Sequence, residues 1–266
     1  MTLCAYCRED RPLTREHIIP AFIYDFQKQQ EGTFIGWNEV AQRMVGGEGK
    51  IKDVCEDCNN GVLSDLDSYG KHLLTDSGLL VQNYTKQGLA LRYDYSLLLR
   101  WLLKISFNSS RTDGAHSHLF ERFIPFIRGL ASAPSRFHVA SLVYLARPEV
   151  AGLSQIEADS FIRMSQGASL LNPFVARICY AAALGERDFV ARQIIFGPAV
   201  FYLLFFREGL LPGHAASAIR RLTKAVPEIV ELSSKRKFVE VHPGQKTWLD
   251  LYEPQVARTI ALKRGD

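Results

Sequence analysis

Three features of the sequence predict an α+β fold, with a small stapled module followed by a mixed domain of helices and strands. Two Cys-x-x-Cys pairs, Cys4/Cys7 and Cys55/Cys58, flank the first part of the chain. Residues 95–108 (YSLLLRWLLKISFN) repeat apolar side chains at helical spacing. Residues 137–146, 192–196 and 199–206 are β-branched and aromatic runs, the last two separated by a Gly197-Pro198 turn. The stapled module is assigned to residues 1–75 and the mixed domain to residues 76–266.

The cysteines set the first element. Each Cys-x-x-Cys turn presents two sulfurs to one point, so the two pairs suit a single tetrahedral zinc ion. The alternative is a pair of disulfides or scattered core thiols. Five cysteines in 266 residues is a low content, and no secretory signal precedes Cys4. A reducing cytoplasm and a metal therefore fit better than an oxidising compartment and disulfides. Cys179, the fifth, lies in the apolar run 175–184 and reads as a small buried hydrophobe.

Between the pairs lies Glu16-His17-Ile18-Ile19-Pro20, and Asn59 follows the second pair directly. The segments CAYC (4–7), LTREHIIP (13–20) and VCEDCNNG (54–61) together resemble the zinc-stapled branch of the HNH endonucleases. The resemblance covers about the first quarter of the chain. It implies a ββα-metal fold, in which a hairpin carries the histidine and a helix carries the later ligand. It further implies that His17 is the general base, and that Glu16 and Asn59 hold a catalytic Mg²⁺ or Mn²⁺ beside the structural Zn²⁺ on Cys4, Cys7, Cys55 and Cys58. The chemistry is compatible: a neutral imidazole can take a proton near pH 7, and oxygen ligands suit a hard cation. The alternative reading has His17 capping the strand or completing the zinc shell. One departure is plain. The family's middle Asn, about nine residues before the last ligand, is Lys50 here, and neither Asn38 nor Asn60 has that spacing.

Further along, residues 22–30 suggest a helical insertion in the connection between the motifs. Asp65 and Asp67 follow Asn59 on the continuation of its helix and read as solvated acids. In the 95–108 helix, Leu98, Trp101, Leu102 and Ile105 form the packed stripe, and Arg100 and Lys104 either contact phosphate or line a solvated face. His116 and His118 read as surface residues of a polar loop. Residues 119–130, 158–165 and 215–225 read as helices, the last displaying Arg220, Arg221 and Lys224 as the preferred phosphate-facing surface.

Charge is uneven. Residues 1–75 hold 8 basic and 12 acidic side chains, a net of −4, whereas the remainder holds 24 and 16, a net of +8. A nuclease needs cations for its polyanionic substrate, so the binding surface is expected in the C-terminal part or on a partner protein or second copy. No apolar run has the length of a membrane span. The expected function is a metal-dependent endonuclease acting on nucleic acid, DNA before RNA, with an analogy to bacterial defence effectors. The alternatives are the nuclease subunit of a larger nucleoprotein complex and a non-catalytic zinc-binding interaction module.

Overall fold

The computed structural model describes residues 3–30, 35–38, 43–113, 117–134, 137–150, 170–181 and 188–251. The first strand, β1 (Leu13–His17), pairs antiparallel with β4 (Lys50–Cys55). A bulge between Thr14 and Arg15 resets the register, so that Arg15 faces Lys52, Glu16 faces Ile51 and His17 faces Lys50. Between them come helix α1 (Ala21–Gln29), led in by Pro20, and the hairpin of β2 (Ile35–Asn38) with β3 (Arg43–Gly46). Gly49 then passes so close to Ile18 that a Cβ there would lie 2.9 Å from its Cδ1. Its N–H donates to the Tyr24 hydroxyl at 3.0 Å.

After β4 the chain enters the single turn α2 (Glu56–Cys58), a segment Asn59–Leu63 kinked at Gly61, and helix α3 (Ser64–Asp76). β1, β4 and α3 stand in the order strand, strand, helix, with α1 and the β2–β3 hairpin inserted between the two strands. Strand β5 (Leu89–Arg92) leads to helix α4 (Tyr95–Asp113), longer than the 95–108 expected, and two short helices, α5 (His118–Glu121) and α6 (Ile124–Ile127), follow in place of one. The helix α3 crosses α4 at Gly70, where an added Cβ would meet the Trp101 ring at 2.1 Å. Any larger residue at 70 would therefore push the two helices apart.

The main sheet has the order β12-β6-β11-β10-β9, built from β6 (Val139–Arg147), β9 (Ala176–Tyr180), β10 (Phe189–Phe196), β11 (Ala199–Phe206) and β12 (Val230–Leu232). Strand β14 (Pro243–Thr247) joins it parallel to β6, β13 (Phe238–Val241) pairs with β5, and β7 (Glu149–Val150) pairs with β8 (Leu170–Leu171). Both faces of this sheet are covered, which is why β10 and β11 read as nearly unbroken apolar runs. One face, with Ile194, Phe196, Phe201 and Leu203, packs on α4 and the stapled module. The other, with Ile195, Val200 and Leu204, packs on helix α7 (Pro212–Ala225).

The first of these cores runs from Cys4 to Val241, so no break in packing marks the boundary expected near residue 75. Residues 98–99 and 101–108 of α4 are buried, joining the two parts of the chain. The helix expected at 158–165 and His116 lie outside the described residues. Among those described, no helix is long and apolar enough to cross a membrane.

Candidate metal centre and histidine site

The first Cys-x-x-Cys closes as a tight knuckle. Arg8 adopts the left-handed conformation at φ 64°, its N–H donates to the Cys4 carbonyl at 2.9 Å, and Cys4 N–H donates to the Glu9 carbonyl at 3.0 Å. The second pair lies at the junction of β4 and α2. All four sulfurs lie within 4.8 Å of one another. Cys7 and Cys55 have their sulfurs 3.7 Å apart, beyond a disulfide but matching the ~3.8 Å between two ligands of a tetrahedral zinc with Zn–S near 2.3 Å.

Electrostatics favour a cation at this point. The Cys4 thiol is buried, yet backbone N–H groups of Cys55, Cys7 and Tyr6 outweigh that burial and draw it down to about 7. Burial and the neighbouring thiols push Cys58 and Cys7 the other way. A dication at the centre of the four sulfurs would offset the burial and favour the thiolate form of its ligands. The cluster could hold zinc, and it is the only group of three or more His, Cys, Asp or Glu side chains among the described residues close enough to share a metal ion.

His17 ends β1, half-buried, its ring 5.7 Å from that of Tyr24. Its Nε2 lies 2.9 Å from Glu48 Oε2. Glu48 also accepts from Lys50 at 2.7 Å and from Lys28, and these hydrogen bonds, with that of His17, hold its carboxyl well below the ordinary range. An ionised carboxylate only accepts, so Nε2 carries the proton and Nδ1 is the basic nitrogen.

Glu16 departs from its expected role as ligand to a hard cation. Adjacent strand residues point to opposite faces, and with His17 outward Glu16 turns into the core, 5% exposed. Its Oε1 takes the Lys104 ammonium at 2.6 Å and the Asn108 amide at 3.0 Å. Lys104, fully buried, also meets Asp67 at 2.7 Å, and Trp101 Nε1 donates to the same carboxylate. Burial opposes the charge on Lys104, but Asp67 and Glu16 prevail and raise its pKa. Lys104 therefore neither contacts phosphate nor lines a solvated face, and Asp67 is not a solvated acid. Arg100 is likewise engaged, donating to the Ile127 carbonyl at 3.0 Å.

Two amides clamp β1. Asn59, just before the kink at Gly61, donates to Thr14 Oγ1 at 2.9 Å and to the Arg15 carbonyl at 3.2 Å. Asn108 donates to the His17 carbonyl at 2.9 Å, and its own oxygen accepts from Tyr6 at 2.6 Å. The His17 carbonyl is thus held by an amide from α4, far from Lys50 in the sequence. Sequence reasoning missed Glu48 and Asn108. The spacing of Trp101, Lys104 and Asn108 along one helical stripe was the available sign for Asn108; Glu48 carried none beyond its flanking glycines.

Arg220, Arg221 and Lys224 are exposed on α7, which covers the sheet face opposite the stapled module. Arg221 reaches Asp188 at 3.7 Å. Cys179 is half-buried and donates to Gln193 Oε1 at 3.2 Å, a polar contact rather than the apolar burial expected.

No family model, curated protein or solved structure matches this chain.

Proposed function

We propose that this chain is an endonuclease of the HNH type that hydrolyses phosphodiester bonds of nucleic acid, DNA before RNA. The observation that carries the reading is the strand–strand–helix unit with a four-cysteine cluster. Within it the outward His17 is braced through Nε2 by Glu48, and its strand is held by Asn59. In the reaction Nδ1 of His17 takes a proton from water, the water oxygen attacks phosphorus, and the bond to the 3′ oxygen breaks. That oxygen leaves with a proton from solvent. Glu48 keeps the imidazole in the required tautomer and stabilises it once protonated.

The surroundings of Glu16 do not fit a ligand to a hard cation, because Lys104 already neutralises it, so no step is assigned to a bound ion. The alternative of a non-catalytic zinc module draws support from that same burial. The deciding experiment is plasmid nicking with Mg²⁺ or Mn²⁺ by the wild type and His17→Ala. Loss of the base should slow nicking roughly 10²–10⁴-fold. Equal nicking by both proteins would remove His17 from the mechanism.

A further inference from the structure

The net charge of the stapled module conceals where its charges lie. Most of its described acids are consumed in pairs: Glu9 and Asp57 with Arg11, Asp53 with Arg111, Glu16 and Asp67 with Lys104, and Glu48 with His17, Lys28 and Lys50. The outward face of the β1–β4 pair is different. Residues directly opposite on antiparallel strands project to the same side. The register therefore puts Arg15 with Lys52, and His17 with Lys50, on one face. The alternate pair, Glu16 with Ile51, faces inward.

Arg15, Lys50 and Lys52 are exposed, and among the described residues neither Arg15 nor Lys52 has a carboxylate partner. Two like charges directly opposite each other disfavour the pairing unless an anion lies between or over them. Here they stand one strand repeat, about 7 Å, from the histidine. The strand beneath them is fixed, since Asn59 holds the Arg15 carbonyl and Asn108 holds that of His17. A phosphodiester that reaches His17 must lie over this face. Helix α7, on the far side of the main sheet, does not border it.

Resting on the hydrolase reading above, we infer that the outward face of the β1–β4 pair is the substrate surface, with Arg15 and Lys52 binding consecutive phosphates of a nucleic-acid duplex. Lys50, shared with Glu48, flanks the phosphate under attack. The acidic module then binds its own substrate, and the basic helix is not required for it.

The test measures binding of a 20-base-pair DNA duplex by fluorescence anisotropy across a range of NaCl. The full chain carries His17→Ala so that cleavage does not intervene. Adding Arg15→Gln and Lys52→Gln should make the slope of log K against log salt shallower by about 1.8, two phosphate contacts at about 0.9 each. The charge-preserving Arg15→Lys with Lys52→Arg should restore the slope, and equal zinc content will show that the fold is intact. Replacing Arg220, Arg221 and Lys224 by Gln should leave it unchanged. An unaltered slope in the Arg15/Lys52 double variant, or duplex binding insensitive to salt, overturns the inference. Binding that follows Arg15 and Lys52 in a protein that never nicks DNA would sink the hydrolase reading alone. Nicking with an unaltered slope would sink the surface alone.

Discussion

Replacing Lys104 with Met removes the ammonium between the buried Glu16 and the half-buried Asp67 carboxylates, and this packing sets how much that should cost. The ammonium lies 2.6 Å from Glu16 and 2.7 Å from Asp67, and the lysine is wholly excluded from solvent. Met fills similar space, so the change is mainly electrostatic: two carboxylates lose their counter-charge in a low dielectric. Breaking a buried pair from one side costs about 3–5 kcal/mol. For a chain of this size each kcal/mol corresponds to about 2–4 °C, so the melting temperature should fall by roughly 6–20 °C. Calorimetry at pH 7 with zinc present would measure it. The sign with pH is also fixed. A lysine whose pKa is raised by folding contributes fully below its unfolded value near 10.4 and loses that contribution only as pH rises through the folded value. The difference between wild type and variant should therefore stay level from pH 7 to pH 9. Adding Glu16→Gln and Asp67→Asn should recover most of the loss, because no unpaired charge remains. A drop below about 2 °C, or no recovery in the triple variant, would refute the claim that the triad is a buried ionic unit.

The other expectations concern the same strand and its staple. Glu48→Gln should flatten the acid limb of stability: a carboxyl held low by Lys28, Lys50 and His17 contributes above its unfolded value near 4.3 and loses that contribution as pH falls through the folded value. Melting curves from pH 2 to 7 would show parallel limbs if the contact is idle. Elemental analysis should find one zinc per chain, and its removal should withdraw folding free energy on the order of 10 kcal/mol. Because the core is continuous past residue 75, a single transition should shift, and loss confined to the first 75 residues would contradict this packing. Asn108→Leu removes the amide that Glu16, the His17 carbonyl and the Tyr6 hydroxyl all contact, and should lower kcat at least tenfold with KM little changed. Equal effects on kcat and KM would make Asn108 part of substrate binding instead.

Much of the architecture was legible in the sequence, and the reasons are local. The Gly197-Pro198 turn between two apolar runs gave the β10–β11 hairpin, and helical spacing gave α4. The paired cysteines gave a cluster whose sulfurs do converge. What escaped depends on distant contacts. Lys104 looked like a surface cation because a lone lysine on an apolar helix usually snorkels to water. Its two partners lie 88 and 37 residues away, and nothing near it in the chain announces them. Asp67 was misread for the same reason. Glu48 depends on Gly49 passing against Ile18, a backbone approach that no periodicity encodes.

The Glu16–His17 pair shows how two neighbours in one motif come to different surroundings. As a string, an acid beside a histidine suggests a ligand and a base at one centre. On a strand, neighbours diverge, and one of the two must face the interior unless the backbone turns between them. Here β1 stays extended through His17, and the register with β4 gives the outward face to His17 and the inward face to Glu16. A buried carboxylate must then find a cation or a set of hydrogen-bond donors, and α4 brings Lys104 and Asn108 to it. The donor that satisfies Glu16 also grips the His17 carbonyl. Burial of the acid and placement of the histidine are therefore one structural event, and the helix that follows the stapled module is part of the site it supports.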